Sequence, residues 1–325
     1  MSRTREPLPV LQTIPAHPKD DRFGRDRSAL RLPEFLKKSV GKGEQVRAVR
    51  RLMRTQKLNT VCEEAKCPNL NECFQHNTAT FMIRGKDCTR ACGFCAVGTA
   101  IPQALDPDEP QHVAEAVAEL KLSHVVITSV NRDDLADGGA AHMRATIEAV
   151  HQAVPKASIE VLTPDFMGDL DAVDLVASTP GLTVFNHNIE TIPRLYARVR
   201  PRARYPRSLA VLQRVAQVYP SLVVKSGFMV GFGETESEVM TLLSDLRSHG
   251  VNVVTIGQYL RPSIKHVPVI EYLTEDAYEV YRQAGQKLGF EHTFAGPFVR
   301  SSYNAAEALR HARAASSSDT HTQSN

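Results

Sequence analysis

FMIRGKDCTRACGFCAV, residues 81–97, decides how the rest of the chain is read. It begins as a short apolar, β-forming run and passes directly into a polar loop carrying Cys88, Cys92 and Cys95 at CxxxCxxC spacing, with Phe94 just before the last thiol. Three thiolates on one loop leave one iron of a four-iron cubane without a protein ligand, and that iron can take a small bidentate molecule. A structural zinc site is the alternative, although it wants four ligands, usually from paired CxxC knuckles.

Downstream of that loop, short β-rich runs alternate with amphipathic helical runs. Candidate strands are residues 80–83, 124–128, 158–162, 182–185, 222–230 and 251–256. The helices between them show apolar residues three and four apart: Val113, Val117, Leu120; Met143, Ile147, Val150, Val154; Leu212, Val215, Tyr219; Val239, Leu242, Leu243, Leu246. The last of these opens on Thr235-x-x-Glu238, a capping box, and stops at Gly250. About six strand–helix repeats predict parallel pairing through right-handed crossovers. Either an open doubly wound sheet or a partial barrel satisfies that pattern. Chemistry on the loop after the first strand, with polar motifs after later strands, favours an α/β partial (β/α)6 TIM-type barrel over residues 80–290.

Upstream, residues 1–43 are proline-rich and charged and read as an extended arm. Residues 44–79 hold a helix over Gln45 to Lys57 whose other faces carry Arg47, Arg50, Arg51 and Arg54, a solvated basic face or a docking surface for an acidic partner. The segment continues with Cys62, Cys67 and Cys73, a second trio whose spacing fits neither a zinc ribbon nor a thioredoxin motif. All six cysteines fall between Cys62 and Cys95, which points to metal rather than a disulfide framework. A helical pattern over Gln283 to Leu288 precedes a carboxyl-terminal segment, 291–308, and a polar tail, 309–325, expected to be disordered.

Hydrophobic content of 42% and charged content of 23% suit a globular protein. A net charge of +3 gives no general attraction to nucleic acid or a membrane surface. With no apolar stretch of signal-peptide or membrane-spanning character, the chain reads as cytoplasmic.

The first trio with Phe94 resembles the signature of the radical S-adenosylmethionine (SAM) superfamily. TVCEEAKCPNLNECF at 60–74, TFMIRGKDCTRACGFCAV at 80–97 and VRSSYNA at 299–305 together resemble lipoyl synthases, with further matches in TSVNRDDLADGGA, FNHNIETIPRLY, SGFMVGFGET and GQYLRPS. The resemblance runs from about Pro33 to Ala305. It implies a sulfurtransferase that inserts two sulfurs at carbons six and eight of an octanoyl group amide-linked to a lysine of a carrier protein. It also implies two 4Fe-4S clusters and SAM as cofactors. Cys88, Cys92 and Cys95 would hold the SAM-cleaving cluster. Cys62, Cys67 and Cys73 would hold an auxiliary cluster, the sulfur donor, with Ser302 as its fourth ligand and Ser301 as the neighbouring candidate.

The same resemblance suggests SAM contacts: Ser129 and Asn131 on the loop after the second strand, Asn188 and Glu190 at the end of the fourth, and Gly227 and Gly231 in the GxIxGxxE-like run ending at Glu234. Arg200, from the arginine-rich run 194–207, is the candidate for the SAM carboxylate, because a guanidinium forks onto a carboxylate. Asp133 and Asp134 read as loop-capping acids. Implied partners are octanoylated lipoyl domains of 2-oxoacid dehydrogenase acyltransferases, the glycine cleavage H protein, and a flavodoxin or ferredoxin as reductant. The chain departs from the family's strings at Phe74, Arg84 and Asn304, where Trp, an apolar residue and His are usual. A different radical SAM sulfur inserter or a zinc-stabilised binding protein are the rival readings.

Overall fold

A computed structural model describes residues 33–36, 43–75 and 79–302. The tail expected over 309–325, and the arm expected over 1–43 apart from residues 33–36 and 43, lie outside the described residues. The chain divides into a unit ending at Lys37 and one beginning at Lys38. In the first, Glu34–Leu36 form a single 3-10 turn. The second holds the remaining described residues.

Its helices are α1 (Glu44–Thr55), α2 (Val61–Glu64), α3 (Leu70–Gln75), α4 (Glu109–Leu120), α5 (Ala140–Ala153), α6 (Leu170–Ala177), α7 (Tyr196–Val199), α8 (Tyr205–Val218), α9 (Glu236–Ser248) and α10 (Glu275–Leu288). Its strands are β1 (Asn59–Thr60), β2 (Thr80–Ile83), β3 (Asp87–Cys88), β4 (Gly98–Thr99), β5 (His124–Ser129), β6 (Ser158–Leu162), β7 (Leu182–Asn186), β8 (Val223–Val230), β9 (Val253–Gln258) and β10 (His292–Gly296). Eight strands form one sheet in the order β1-β2-β5-β6-β7-β8-β9-β10. Only the β1–β2 pair is antiparallel; every other neighbouring pair is parallel.

The helices form because each buries one apolar stripe. Val113 and Val117 of α4, Met143, Ile147 and Val150 of α5, and Leu242, Leu243 and Leu246 of α9 join the same core as Val125, Ile127, Ile159, Val161 and Phe185 from alternate strand positions. The opposite strand face is also buried and carries polar side chains beside Val126 and Val184. There Lys225 Nζ lies 3.0 and 3.1 Å from the two carboxylate oxygens of Glu160, and Asn186 Nδ2 donates to Glu160 at 3.0 Å. Burial alone would raise the Glu160 carboxyl, but Lys225 and His124 outweigh it and hold it below the usual carboxylate range.

The expected capping box is formed: Thr235 Oγ1 accepts from the Glu238 N–H, and the Thr235 N–H donates to Glu238 Oε2. Several boundaries differ from those expected by one to several residues, and three starts shift for visible reasons. β9 starts at Val253 rather than Val251, because the Val251 N–H is spent closing α9 onto the Leu246 carbonyl. β8 starts at Val223, since the Leu222 N–H turns back to Tyr219. Helix α10 begins two turns before Gln283, at Glu275, and buries Tyr278, Tyr281 and Gly285. The six expected strands are joined by a seventh parallel one, β10, within the carboxyl-terminal segment 291–308, for which no strand was expected. It pairs with β9 from His292↔Val253 to Gly296↔Gly257.

Candidate functional site

The first trio hangs from β2. Arg84 and Gly85 both take left-handed backbone, φ +71° and +83°, and turn the chain out of the strand. Cys88 then pairs with Thr99 across the short β3–β4 ladder, which closes the cysteine loop at its base. Segments distant in sequence hold the loop in place. The Gly93 N–H donates to the Val199 carbonyl at 2.9 Å, and the Gly93 carbonyl accepts from the Val267 N–H at 2.8 Å. A Cβ at Gly93 would stand 2.7 Å from Val267 Cγ2 and 2.9 Å from the Arg198 carbonyl, so only glycine lets these strands of chain close on it. His266 Nε2 lies 2.9 Å from the Cys95 carbonyl, and Arg202 Nη1 donates to the Thr89 carbonyl at 2.9 Å. Phe94 packs partly buried against the core.

Arg90 locks the loop to two neighbouring turns. Its side chain donates to Asp133 at 2.7 and 2.8 Å and to the fully buried Asp165 at 2.6 Å, while its backbone N–H points at Cys88 Sγ, 3.4 Å away. Burial works against ionisation of Asp165, yet Arg90 holds it well below the usual carboxylate range. Asp134 is taken by Arg132 at 2.8 Å. Both acids are therefore held in ion pairs with arginines of these loops.

The second trio sits where α2 and α3 meet the carboxyl-terminal segment. Thr60 caps α2, the Cys67 N–H bonds the Cys62 carbonyl at 3.0 Å, and the Cys73 N–H bonds the Asn69 carbonyl at 2.9 Å. Cys62, Cys67 and Cys73 line a small cavity together with Asn69, Thr80, Arg300 and Ser302. Asn69 Nδ2 donates to the Phe298 carbonyl at 2.7 Å. Gly257 lets the same segment lie on β9, since a Cβ there would come within 2.1 Å of the Val299 carbonyl. The two serines diverge: Ser302 faces the cavity, whereas Ser301 Oγ accepts from Asn188 Nδ2 at 3.1 Å.

Asn188 and Glu190 lie between the two trios. They follow β7 rather than ending it, and Glu190 turns through φ +65°, so a kink and not strand alternation brings them together, Asn188 Nδ2 donating to Glu190 Oε1 at 3.0 Å. Burial raises the Glu190 carboxyl despite the opposing pull of Arg200, and its charge acts on Cys92 and Cys95 on one side and on Arg300 on the other. Arg200 is buried, and its Nη1 donates to the Asn188 and Ile189 carbonyls at 2.9 and 3.2 Å; its Nε has no partner.

The remaining candidates have plain packing reasons. At Gly227 a Cβ would stand 2.4 Å from Thr255 Oγ1 and 2.9 Å from Asn188 Oδ1. Gly231 has φ +105° and faces Gln258 Nε2, while Glu234 accepts its N–H and that of Phe232. The Asn131 carbonyl accepts from the N–H and hydroxyl of Thr89, tying the loop after β5 to the first trio. The Ser129 hydroxyl accepts from Arg84 Nη2. The sequence reading missed Arg90, His266 and Arg300 as site-building residues.

The donor sets fit iron–sulfur clusters. All six cysteines are free thiols. Burial pushes Cys62 and Cys92 up to about 11 and Cys95 up to about 12, so these thiols ionise at neutral pH only against a bound cation, which deprotonates a coordinating thiol. Among the described residues no three His, Cys, Asp or Glu side chains converge as ligands of a single ion. Thiolates on separate irons of a cubane need no such point.

Residues 82–246 match the radical SAM superfamily, and residues 14–67 match the N-terminal domain of lipoyl synthase. A lipoyl synthase of Rubrobacter xylanophilus is 52% identical over 291 residues, 90% of each chain. The chain belongs to the lipoyl synthase family. Relatives from Laribacter hongkongensis and Caldanaerobacter subterraneus are each 50% identical, covering 86% and 87% of this chain and 89% and 99% of their own. Solved structures share the fold alone: Streptococcus suis SuiB bound to S-adenosylmethionine (TM-score 0.53, 12% identity, 70% of this chain and 53% of that one) and the hydrogenase maturase HydG (0.52, 14%, 85% and 66%). This chain shares its partial TIM-type barrel with these distant neighbours, and its parallel strands present the first trio on the loop that follows β2.

Proposed function

We propose that this chain replaces one C–H bond at carbon six and one at carbon eight of a lysine-bound octanoyl group with C–S bonds, using one SAM for each. The observation that carries the reading is Ser302 in the same small cavity as Cys62, Cys67 and Cys73, from positions more than 200 residues apart in sequence. Cys88, Cys92 and Cys95 would hold one 4Fe-4S cluster, and Cys62, Cys67, Cys73 and Ser302 the other. When bound, these groups with SAM supply a hydrogen-abstracting radical and the sulfur, the step that polar side chains cannot perform on an aliphatic carbon.

The protein's own part is positioning and exclusion of water. The Gly93, His266 and Arg90 contacts fix the first trio. Asn188, Glu190, Gly227 and Arg200, with Ser129, Asn131 and Gly231 more remotely, would seat SAM beside it. Glu190 and Asn188 bridge from there to the second cavity, so the carbon made reactive at one place meets sulfur at the other. Octanoylated lipoyl domains of 2-oxoacid dehydrogenases and the glycine cleavage H protein are the acyl carriers, and a flavodoxin or ferredoxin the electron donor. No described helix is long and apolar enough to cross a membrane, and we assign the protein to the cytoplasm with its carriers.

The test is an anaerobic assay with an octanoylated lipoyl-domain peptide, SAM and dithionite, read by mass and by deoxyadenosine release. Cys62→Ala and Ser302→Ala should release deoxyadenosine without forming thiolated peptide, and Cys88→Ala should do neither. Thiolated product from Cys62→Ala would overturn the assignment of the second trio.

A further inference from the structure

Among the described residues the three large apolar side chains that stand furthest into solvent are Ile101, Ile264 and Met167, at 95%, 81% and 53% exposure. All three border the Cys88–Cys95 loop. Ile101 follows β4, the strand that pairs with Cys88 at the base of that loop. Ile264 sits on a turn that grips the loop from outside, with His266 Nε2 2.9 Å from the Cys95 carbonyl and the Val267 N–H on the Gly93 carbonyl. Met167 Sδ lies 3.1 Å from Arg90 Nη2. The Ile264 turn is braced: Ser263 Oγ lies 2.9 Å from His266 Nδ1, Arg261 Nε donates to the His266 carbonyl at 2.9 Å, and the Tyr259 hydroxyl donates to the Val267 carbonyl at 2.7 Å.

Unpaired cations accompany these side chains. In the run 194–207, Arg194 pairs with Glu238, Arg207 pairs with Asp165, and Arg200 is buried. Arg198 and Arg202 are exposed and, among the described residues, form no ion pair. Both adjoin the loop: the Arg198 carbonyl lies 2.9 Å from where a Gly93 Cβ would stand, and Arg202 donates to the Thr89 carbonyl. Lys265, next to Ile264, is likewise exposed and without an ion pair. The acids at the loop, Asp133 and Asp165, are already engaged by Arg90. Residues 91–97 are themselves only half-buried, so little protein separates the loop from solvent.

Exposed apolar side chains set among unpaired charges mark a protein contact. Resting on the assignment of Cys88, Cys92 and Cys95 to an iron–sulfur cluster, we propose that this face receives a small acidic electron-carrier protein, which reduces the iron held by that trio. Position and charge select the occupant. An electron crosses only a short gap, so its donor must reach the outside of this loop, and the guanidinium and ammonium groups there attract carboxylates. One electron leaves the carrier for the iron, with no bond made and no proton moved. Exposed charges speed such an encounter, and a small contact area lets the spent carrier leave.

The experiment compares two reductants on the anaerobically reconstituted full-length protein: dithionite, which needs no docking face, and a reduced acidic flavodoxin. Deoxyadenosine release is one readout, and calorimetric binding of oxidised flavodoxin is the other. Arg198→Glu with Lys265→Glu should weaken flavodoxin binding about tenfold at low salt and slow flavodoxin-driven release to match, while dithionite-driven release stays within about twofold of the parent. The loss should shrink as salt is raised. Ile101→Ser with Ile264→Ser should weaken binding about threefold, with little salt dependence. As a control, Arg47→Glu with Arg51→Glu reverses two exposed charges on α1, which packs against α3 and β1, and should bind flavodoxin like the parent. If the charge-reversed pair loads too little iron, Arg198→Gln and Lys265→Gln singly carry the comparison. Parent-like flavodoxin binding by either the charge-reversed or the serine pair, or an equal loss in the α1 control, would overturn the inference. So would intact flavodoxin binding with a raised KM for the octanoylated carrier under dithionite, which would give this face to the acyl carrier. A parent that binds flavodoxin yet releases no deoxyadenosine with dithionite would refute the cluster assignment instead.

Discussion

The two cysteine trios are separated by fewer than 35 residues, yet they are built in opposite ways. The Cys88–Cys95 loop is short in sequence and is clamped from outside by Val199, Val267, His266 and Arg202. The Cys62–Cys73 site is spread over two small helices and is completed only when the segment before Ser302 docks through Asn69 and Gly257. The first is a preformed loop held by its surroundings; the second exists only after long-range closure. Damage to one should therefore leave the other largely intact.

The largest test of that contrast is Gly93→Val. It drives a side chain into Val267 and the Arg198 carbonyl, so the first trio should lose its iron while the second keeps it. Iron analysis should fall from about eight to about four per chain, and SAM cleavage should stop. Loss of all iron would show that the trios are not independent. Gly257→Ala should act the other way, pushing the Val299 turn off β9. Deoxyadenosine release should survive, thiolated product should drop at least tenfold, and reactivity of the Cys62 trio toward a thiol reagent in the metal-free protein should rise. Unchanged thiol reactivity would mean that the carboxyl-terminal segment does not close that cavity.

A smaller effect is set by pH and belongs to the barrel between them. His187, at the end of β7, is fully buried between the Thr163 carbonyl and Ser208 Oγ, and burial together with nearby Arg200 lowers it to about 4. Its folded-state value lies below the unfolded one, so the unfolded chain binds the extra proton first. The contribution is fully present above about pH 6.5 and is lost as pH falls toward 4, amounting to roughly 3 kcal/mol. His187→Gln should flatten the denaturant stability profile in that window. A parent profile with no slope between pH 6.5 and 4 would rule the linkage out.

Much of this was legible in local sequence. The spacings of both trios, the capping box at Thr235 and six of the parallel strands lie in short stretches whose periodicity or composition is decided within a few residues. Three kinds of feature were not. Strand β10 is short and only partly buried at His292 and Phe294, so its strand character comes from pairing with β9. The Asn188–Glu190 pair depends on a left-handed kink at a non-glycine residue, which no propensity predicts. The roles of Arg90, His266 and Arg300 arise from partners 43 to 171 residues away, or from a cavity wall, and arginine or histidine in a loop carries no local sign of that.

Ser301 and Ser302 are joined by a single peptide but answer to different neighbours, one to the Asn188 amide and the other to the cavity of the earlier cysteines. The end of the described chain thus ties two places at once, the Asn188 amide beside Glu190 and the cavity of Cys62, Cys67 and Cys73.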